Sequence, residues 1–186
     1  MSRRTVRENV FQLIYERITT GEKNALTFDL FKEKNIDEVV YLETVYNGVD
    51  EKFGFLNLII ARYAKGFKAE RIFKVDMSLL LLSAYEILFI EDVPDRVAVN
   101  EVLDLVKIYS TEKSGSFING VLASVIKEKD FILYAYEHPE VLEEAEEEVV
   151  EENPELQSAD SEHQEMEKAA EEIPAVLNMG DGDSEE

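Results

Sequence analysis

The sequence predicts an all-α fold: a compact helical bundle of six to seven helices, followed by a disordered acidic C-terminal tail. Apolar residues recur at intervals of three and four along most of the first 134 residues, which is the spacing of one helix face. The segment from Met77 to Phe89 is apolar almost all round, as is typical of the central helix of a bundle. No alternating apolar run bounded by turn residues is long enough to predict a sheet.

The first half of the bundle contains three helical segments. The first runs from Arg4 to Thr20, and Gly21 is a natural stop because glycine readily adopts the left-handed conformation that ends helices. A shorter helix is expected from Leu26 to Lys34. Asp37 then opens a longer helical region that Gly66 closes and that Gly48 or Gly54 can interrupt. Its expected inward residues are Val40, Val45, Val49, Phe53, Leu56, Ile59 and Ile60.

The second half contains the central helix and two more helices. Asp76 is the expected N-cap of the central helix, because its carboxylate can accept from amides in the first turn. Pro94 ends the next connection, and Asp95 begins an amphipathic helix. Residues 110–116 are expected to form a polar loop. The last helix follows from Phe117, because its apolar residues repeat in pairs every four positions.

The charge of the chain is divided unevenly along its length. Of the 41 acidic and 19 basic residues, 21 acids and 18 bases lie in residues 1–134, a net charge of −3. Residues 135–186 hold 20 acids and one base, Lys168, a net charge of −19. This tail cannot bury enough apolar surface to offset the entropy of ordering. We therefore expect a helical domain over residues 1–134 and a disordered, low-complexity acidic tail over residues 135–186.

The composition excludes several kinds of site. There is no cysteine, and both histidines, His138 and His163, lie in the tail. The helical domain therefore lacks the side chains for Ser-His or Cys-His nucleophiles and for histidine or cysteine metal ligands. An enzyme built on this domain would have to work with carboxylates, lysines or tyrosines alone, and we expect no metal and no cofactor. No segment reads as a signal peptide or a membrane span, so we expect a soluble, cytoplasmic protein.

The start of the first helix is a candidate nucleic-acid surface. Arg3, Arg4 and Arg7 cluster there, and Phe11 is one turn beyond Arg7 on the same face. Guanidinium groups beside an aromatic ring can bind the phosphates and stack on the bases of single-stranded RNA. The alternative is an ordinary solvated helix start, which three arginines alone do not exclude.

A second candidate lies in residues 110–120. Lys113, Ser114, Gly115 and Ser116 offer a cation, hydroxyl groups and open backbone amides at a helix start, which are suited to holding a phosphate. The spacing is not that of a P-loop. Gly120 falls inside the following helix, where glycine costs about 1 kcal/mol relative to alanine. This predicts that another backbone or a ligand approaches closely at that position.

Three polar residues lie among apolar neighbours in the two helices after residue 76. They are Glu86 in the central helix and Asn100 and Glu101 in the next. Each must be paired or reach the surface. Glu86 is explained equally well by an internal salt bridge or cap and by a contact with a partner protein.

Four segments together resemble one protein family, that of the transcription antitermination factor NusB. The first segment contains Arg4, Arg7, Val10, Gln12, Leu13, Ile14 and Tyr15. The second is Ser83-Ala84-Tyr85-Glu86. The third runs from Val93-Pro94 through Val97-Ala98-Val99-Asn100-Glu101, and the fourth is Phe117-Ile118-Asn119-Gly120-Val121-Leu122. Their order and spacing resemble the family pattern over roughly residues 3–128.

The resemblance implies an all-helical RNA-binding protein that is not an enzyme. Members of this family pair with NusE, a ribosomal small-subunit protein. The pair binds the boxA element of nascent ribosomal RNA within the RNA polymerase antitermination complex. Carried over position by position, the resemblance assigns RNA binding to Arg3, Arg4, Arg7, Lys113, Ser114, Phe117 and Asn119. It places Tyr15, Asp76 and Glu86 toward the NusE side.

Two alternatives to this function stay open. The chain can be a NusB-like accessory or adaptor domain linked to rRNA methylation or ribosome assembly, although it lacks the Gly-rich cofactor loop and the cysteine nucleophile of such a methyltransferase. It can also be a purely structural interaction module. The acidic tail can act as a tethered electrostatic mimic of RNA that competes for the basic surface, because tethering raises its local concentration. The simpler explanation of the tail is solubility.

Overall fold

The computed structural model describes residues 2–64 and 71–142, and all regular structure in these residues is helical. The chain divides into two units, Met1–Glu137 and His138–Glu186. Of the second unit only residues 138–142 are described, and residues 140–142 are helical. The expected closing role of Gly66 and the expected disorder of residues 143–186 lie outside the described residues. For residues 135–137 the expected disorder is wrong, because they belong to the last helix of the first unit. The domain boundary expected at residue 134 falls within the last helix of the first unit.

The described part of the first unit contains eight α-helices and one 3-10 turn. They are α1 (Arg3–Thr20), α2 (Ala25–Lys34), a 3-10 turn (Ile36–Glu38), α3 (Val39–Glu51), α4 (Phe53–Tyr63), α5 (Lys74–Phe89), α6 (Asp95–Tyr109), α7 (Glu112–Lys127) and α8 (Lys129–Glu137). The all-α prediction is confirmed. The number of helices exceeds the predicted six to seven because α8, which the sequence analysis did not separate, adds one.

Helix α5 is the centre of the bundle, as its apolar composition predicts. Thirteen consecutive residues, from Asp76 to Leu88, are buried. The helix contacts α1, α3, α4, α6 and α7. In the part of the chain that is described, no helix is both long enough and apolar enough to cross a membrane.

The helices of the first half follow the predicted periodicity with one exception. Helix α1 buries Val6, Val10, Leu13 and Ile14, and Gly21 ends it with a φ of +87°. The long region after residue 37 divides at Lys52 rather than at a glycine. The prediction that Val40 lies in the core is wrong, because Val40 is 73 % exposed.

The register of α3 explains why Val40 faces outward. The inward face of this helix carries Tyr41, Leu42, Val45, Tyr46 and Val49, a repeat of three and four that excludes position 40. Tyr41 and Tyr46 also face inward, whereas only aliphatic residues of this helix were predicted to do so.

Two helix starts also differ from the prediction. Helix α5 begins at Lys74 with no side-chain cap, so Asp76 lies in its first turn and is buried there. Helix α7 begins at Glu112, with Thr111 as its N-cap. The expected loop of residues 110–116 is therefore reduced to Ser110 and Thr111, because the Thr111 hydroxyl starts the helix about five residues earlier than Phe117.

Helix α8 is held against the bundle by aromatic rings. The Tyr136 ring packs edge-on against Phe55 and Phe89, with centroid distances of 4.9 and 5.2 Å. The ammonium of Lys52 lies 5.3 Å from the Tyr136 centroid. At the other end of α8, Lys129 pairs with Asp95 at 3.0 Å. These contacts join α8 to α4, α5 and α6.

One close approach between helices depends on glycine. Gly48 in α3 faces the ring of Tyr85 in α5, and the phenol group occupies the space that a Cβ atom at position 48 would need. A glycine interior to a helix costs about 1 kcal/mol relative to alanine. At Gly48 the cost is offset by the packing of a buried aromatic ring.

Candidate nucleic-acid interface and partner surface

The first residues of α1 present two arginines at the surface. The Ser2 hydroxyl accepts a hydrogen bond from the amide of Thr5 and so begins the helix. Arg3 donates to Glu38 through Nε and Nη2, at 3.3 and 3.2 Å, and its guanidinium lies 5.2 Å from the centroid of the Tyr41 ring. Arg4 pairs with Asp104 of α6 at 3.1 Å. Both cations are solvent-accessible, but each already has a carboxylate partner.

Arg7 does not share this surface. It is 4 % exposed, and its Nε donates to Glu86 at 2.9 Å. Glu101 of α6 lies 3.6 Å from its Nη1 atom. The expected surface position of Arg7 is wrong, because side chains of α3, α5 and α6 cover its guanidinium. Arg3 lies on the same helix face one turn earlier, nearer the helix start, where its side chain remains 44 % exposed. A buried guanidinium with two carboxylate partners cannot contact RNA phosphates without leaving the core.

Glu86 is the centre of a buried polar cluster that also contains Arg7, Tyr41 and Glu101. The Tyr41 hydroxyl donates to Glu86 at 2.6 Å. Burial raises the pKa of the Glu86 carboxyl, against the opposing effects of the Arg7 charge and the Tyr41 hydrogen bond. Burial, followed by the Glu86 charge, also raises the pKa of the Tyr41 phenol. Glu86 thus follows the internal salt-bridge alternative, and the cluster joins α1, α3, α5 and α6.

Asp76 is also an internal residue. It is buried in the first turn of α5 and accepts a hydrogen bond from the hydroxyl of Ser110. This bond fixes the short α6–α7 connection to α5. Neither Asp76 nor Glu86 offers a side chain for direct contact with a partner protein.

Tyr15 is the one residue of the predicted partner group that lies at the surface. It is partly exposed, and its ring centroid is 6.4 Å from that of buried Phe11. Phe11 in turn packs on Tyr109 of α6 at 4.8 Å. The Tyr109 hydroxyl donates to Glu8 and accepts from Gln12. Tyr15 therefore lies beside two packed aromatic rings, those of Phe11 and Tyr109, which connect α1 and α6.

The start of α7 brings the second group of predicted RNA residues together, with two changes. Lys113 and Asn119 are exposed, and Phe117 is half-buried. Ser114 is buried, and its amide donates to the Thr111 hydroxyl at 3.1 Å. The amide of Gly115 donates to the Thr111 carbonyl. The expected open amides are thus used by the helix itself, and a phosphate here would meet side chains.

A cleft of about 550 Å³ lies between α6 and α7. Its lining is mixed: the apolar residues are Leu103 and Val106, and the polar ones are Lys107, Ser110, Thr111, Glu112, Ser116 and Asn119. Gly120 faces open space, so no backbone of the described chain approaches it as predicted. Its lack of a side chain leaves the outer surface of α7 open near Asn119.

Asp104 and Lys107 connect the two predicted RNA groups. Asp104 pairs with Arg4 of α1 through one carboxylate oxygen and with Lys107 through the other, at 3.1 and 2.6 Å. Lys107 lines the cleft that contains Asn119. Four residues of these surfaces were not predicted from the sequence: Asp104, Lys107, Tyr41 and Thr111. Only Thr111 carried a local signal, since threonine before a helix is a common cap.

The polar groups of the described residues do not form a metal site. Nowhere in residues 2–64 and 71–142 do three or more histidine or carboxylate side chains gather so that they could hold a metal ion. What the surface offers is cations, hydroxyl and amide groups, and aromatic rings.

The chain is similar to known proteins of one family. A family model described as the NusB family matches residues 4–127. The transcription antitermination protein NusB of Finegoldia magna is 42 % identical over 134 residues, which cover 70 % of this chain and 97 % of the relative. That of Clostridium perfringens strain 13 is 41 % identical over 132 residues, covering 68 % and 98 %.

Solved structures show the same fold. T. maritima NusB has a TM-score of 0.62 and 27 % identity, over 69 % of this chain and 92 % of that one. A crystal structure of the antitermination factors NusB and NusE in complex with double-stranded RNA includes a chain with a TM-score of 0.60 and 25 % identity, over 67 % of this chain and 96 % of that one. The extent of the family match and the identity to these relatives establish that this chain belongs to the NusB family.

Proposed function

We propose that this chain is a transcription antitermination factor that binds RNA together with a NusE-like ribosomal small-subunit protein. The observation that carries the proposal is the match to NusB relatives over nearly their whole length, together with the likeness to a NusB chain in a complex with NusE and RNA. The chain acts by binding, not by catalysis. Its expected ligand is boxA-type RNA in nascent rRNA transcripts, which places it in the RNA polymerase antitermination complex.

The RNA surface that we propose runs from the start of α1 to α7. It contains Arg3, Arg4, Lys113, Phe117 and Asn119. Exposed arginines and lysines can pair with phosphates, Phe117 can stack on a base, and the Asn119 amide can hydrogen-bond a base edge. Arg7 and Ser114 support this surface from within, through the buried cluster and the cap of α7 respectively.

Tyr15 is the residue that we propose for direct contact with the NusE-like partner. A partly exposed tyrosine beside packed aromatic rings combines apolar area with one hydroxyl group, a pairing that is frequent at protein interfaces. Asp76 and Glu86 would affect the partner surface only indirectly, by fixing the start of α7 and the packing of α5.

Assembly of the three components tests the proposal. The full chain, a NusE-like protein and a single-stranded boxA RNA should form a ternary complex that is tighter than either binary complex. Fluorescence anisotropy with labelled RNA at moderate salt measures the gain. A scrambled RNA and an RNA duplex are the comparison ligands. If the partner brings no increase in boxA affinity, the proposed function is wrong.

Two variants locate the RNA surface. Arg4→Ala should weaken RNA binding and lower the salt slope of log K by about 1, as for one lost phosphate contact. Phe117→Ala should weaken binding with little change in that slope, because it removes stacking rather than charge. The matched control is Arg96→Ala, which removes an exposed arginine from the opposite end of α6. Equal losses in Arg96→Ala and Arg4→Ala would refute this placement.

A further inference from the structure

Asp104 has an unusual position for an acidic residue on a surface proposed to bind RNA. Its Oδ2 atom is 3.1 Å from Arg4 Nη2, and its Oδ1 atom is 2.6 Å from Lys107 Nζ. One carboxylate thus bridges a cation from α1 and a cation from its own helix. The Arg4 and Lys107 side chains are 56 % and 75 % exposed, whereas that of Asp104 is 33 % exposed. The acid lies beneath the two cations.

The bridge is not needed to hold α6 in the bundle. This helix packs through Ala98, Val102, Leu105 and Val106, which are all buried. Ion pairs between exposed side chains contribute little to stability, because water solvates both charges well. The hydrogen bond from Lys107, and then the charges of Lys107 and Arg4, lower the pKa of the Asp104 carboxyl. Asp104 is therefore ionised at neutral pH and available to be exchanged.

A phosphodiester group has the features that Asp104 presents to these cations. The Asp104 carboxylate and a phosphodiester group each carry one negative charge, shared by two oxygens that accept hydrogen bonds. Guanidinium and ammonium groups bind both. Lys107 also lines the cleft between α6 and α7 that contains Thr111, Ser116 and Asn119. A phosphate bound by Arg4 and Lys107 would thus lie beside a cleft that presents hydroxyl and amide groups as well as the acidic side chain of Glu112.

We propose that Asp104 is an internal substitute for an RNA phosphate, which occupies Arg4 and Lys107 in the RNA-free protein and is exchanged for a backbone phosphate when RNA binds. This proposal rests on the proposed function. It adds that Asp104 sets the strength of the electrostatic attraction between the protein and RNA. Because the phosphate backbone is the same in every RNA, Asp104 lowers the affinity for all sequences by the same factor. Stable binding then depends more on base contacts and on the partner protein.

Removing the negative charge tests the exchange. Asp104→Asn keeps the size of the side chain and frees both cations. Its affinity for boxA RNA and for a scrambled single-stranded RNA should rise by the same factor, roughly threefold to tenfold at low salt, with a salt slope steeper by about 1. Asp104→Ser is the second variant, in case the asparagine amide still holds Lys107. Circular dichroism and thermal unfolding establish that both variants fold.

Two controls separate local exchange from a general charge effect. Asp92→Asn removes the same charge from an exposed position in the α5–α6 connection and should leave RNA affinity nearly unchanged. In a chain that already carries Arg4→Ala and Lys107→Ala, adding Asp104→Asn should bring no gain. An equal gain from Asp92→Asn, a persistent gain without the two cations, or unchanged or weaker binding by both Asp104 variants would each overturn the proposal.

The proposed function fails in a different way. If the wild-type chain binds boxA RNA with its partner but the Asp104 variants bind no more tightly, only the role of Asp104 is wrong. If neither the wild-type chain nor the Asp104 variants bind any RNA at low salt, with or without the partner, both proposals are wrong. Tighter binding of every RNA by the Asp104 variants, with no partner-dependent gain for boxA, would support Asp104 as a phosphate substitute and reject the antitermination role.

Discussion

Arg4 and Arg7 are three residues apart on α1, yet they belong to opposite kinds of ion-pair network. Arg4 pairs with Asp104 at the surface, where water and ligands reach both charges. Arg7 pairs with Glu86 in the core, where both side chains are almost completely buried. Both networks include a contact from α1 to α6, since Asp104 and Glu101 belong to α6, but only the buried network also includes α3 and α5. Burial, not residue type, decides which arginine maintains the fold and which is free to bind a ligand.

The largest expected effect comes from breaking the buried network. Arg7→Ala leaves Glu86 buried without its main counter-charge, and we expect the free energy of unfolding to fall by about 3–5 kcal/mol. Urea denaturation followed by circular dichroism measures this. Replacing both partners by apolar residues, Arg7→Met with Glu86→Leu, should recover part of the loss, because the most deeply buried charge is gone, although Glu101 and the Tyr41 hydroxyl still lose their partners. A loss below about 1 kcal/mol for Arg7→Ala alone would show that Glu86 is not held as described.

A smaller effect is expected from Tyr41→Phe. This change removes the hydroxyl that donates to Glu86 and leaves the packing of the ring intact, so we expect a loss of about 1–3 kcal/mol. Differential scanning calorimetry measures the change in Tm. Tyr15→Phe is the matched control, and its effect should stay within about 0.5 kcal/mol, because that tyrosine is partly exposed. Equal changes in the two variants would contradict a buried hydrogen bond at Tyr41.

The half-buried pair of Arg17 and Asp50 lies between the two extremes. Partial burial acts to raise the pKa of Asp50, but hydrogen bonds from Arg17 and Lys23 outweigh it and hold the pKa below its usual value. A lowered folded pKa adds stability above the unfolded pKa of about 3.9, and that stability is lost as the pH falls through the folded value. Asp50→Asn should therefore cost about 1 kcal/mol or less at neutral pH.

The pH series is the sharper test of this pair. Unfolding of the wild type and of Asp50→Asn, compared from pH 7 down to pH 3, should show a difference that is constant above about pH 5 and shrinks below about pH 4. Lys23 also pairs with Asp50, at 2.9 Å, so the variant loses two contacts. A difference that persists unchanged at pH 3 would assign the loss to something other than the ionised carboxylate.

The smallest effect on stability is expected at Arg4. Arg4→Ala should change the free energy of unfolding by less than about 0.5 kcal/mol, because its side chain is exposed and its ion pair is screened by water. RNA affinity should nevertheless fall, in contrast to Arg7→Ala, which should lower both. Measuring unfolding and anisotropy on the same two proteins tests the contrast directly. If the Arg4→Ala variant unfolds as readily as the Arg7→Ala variant, the distinction between the two networks is wrong.

The helices and most of their inward faces could be predicted from the sequence, because apolar spacing reports directly which face is buried. The failures have specific physical causes. Tyr41 and Arg7 are amphipathic side chains, and their burial depends on partners from distant parts of the chain, Glu86 and Glu101. A local pattern cannot show such partners. Asp76 also looked like a helix cap, whereas its partner, Ser110, lies 34 residues later.

Only part of the candidate site could be predicted, again because a local pattern does not show partners from distant parts of the chain. Residue types indicated the arginines of α1 and Lys113, and the family resemblance added Phe117 and Asn119. Arg3, Arg4, Lys113 and Asn119 do lie at the surface. The link between the groups was not found, because Asp104 and Lys107 read as an ordinary charged face of α6. Only the fold shows that Arg4 of α1 reaches this face.

The contact between Gly48 and Tyr85 makes these two positions a single unit for protein engineering. The separation of α3 and α5 is set by one ring lying against one bare backbone, so any side chain at position 48 displaces the ring. A larger residue at 48 would be accommodated only together with a smaller one at 85. Variation of either position alone should yield few folded proteins, whereas a paired library should yield many. The Tyr85 ring also packs on Phe89, with centroids 5.4 Å apart, and Phe89 contacts Tyr136, so a change in this unit would be transmitted to α8.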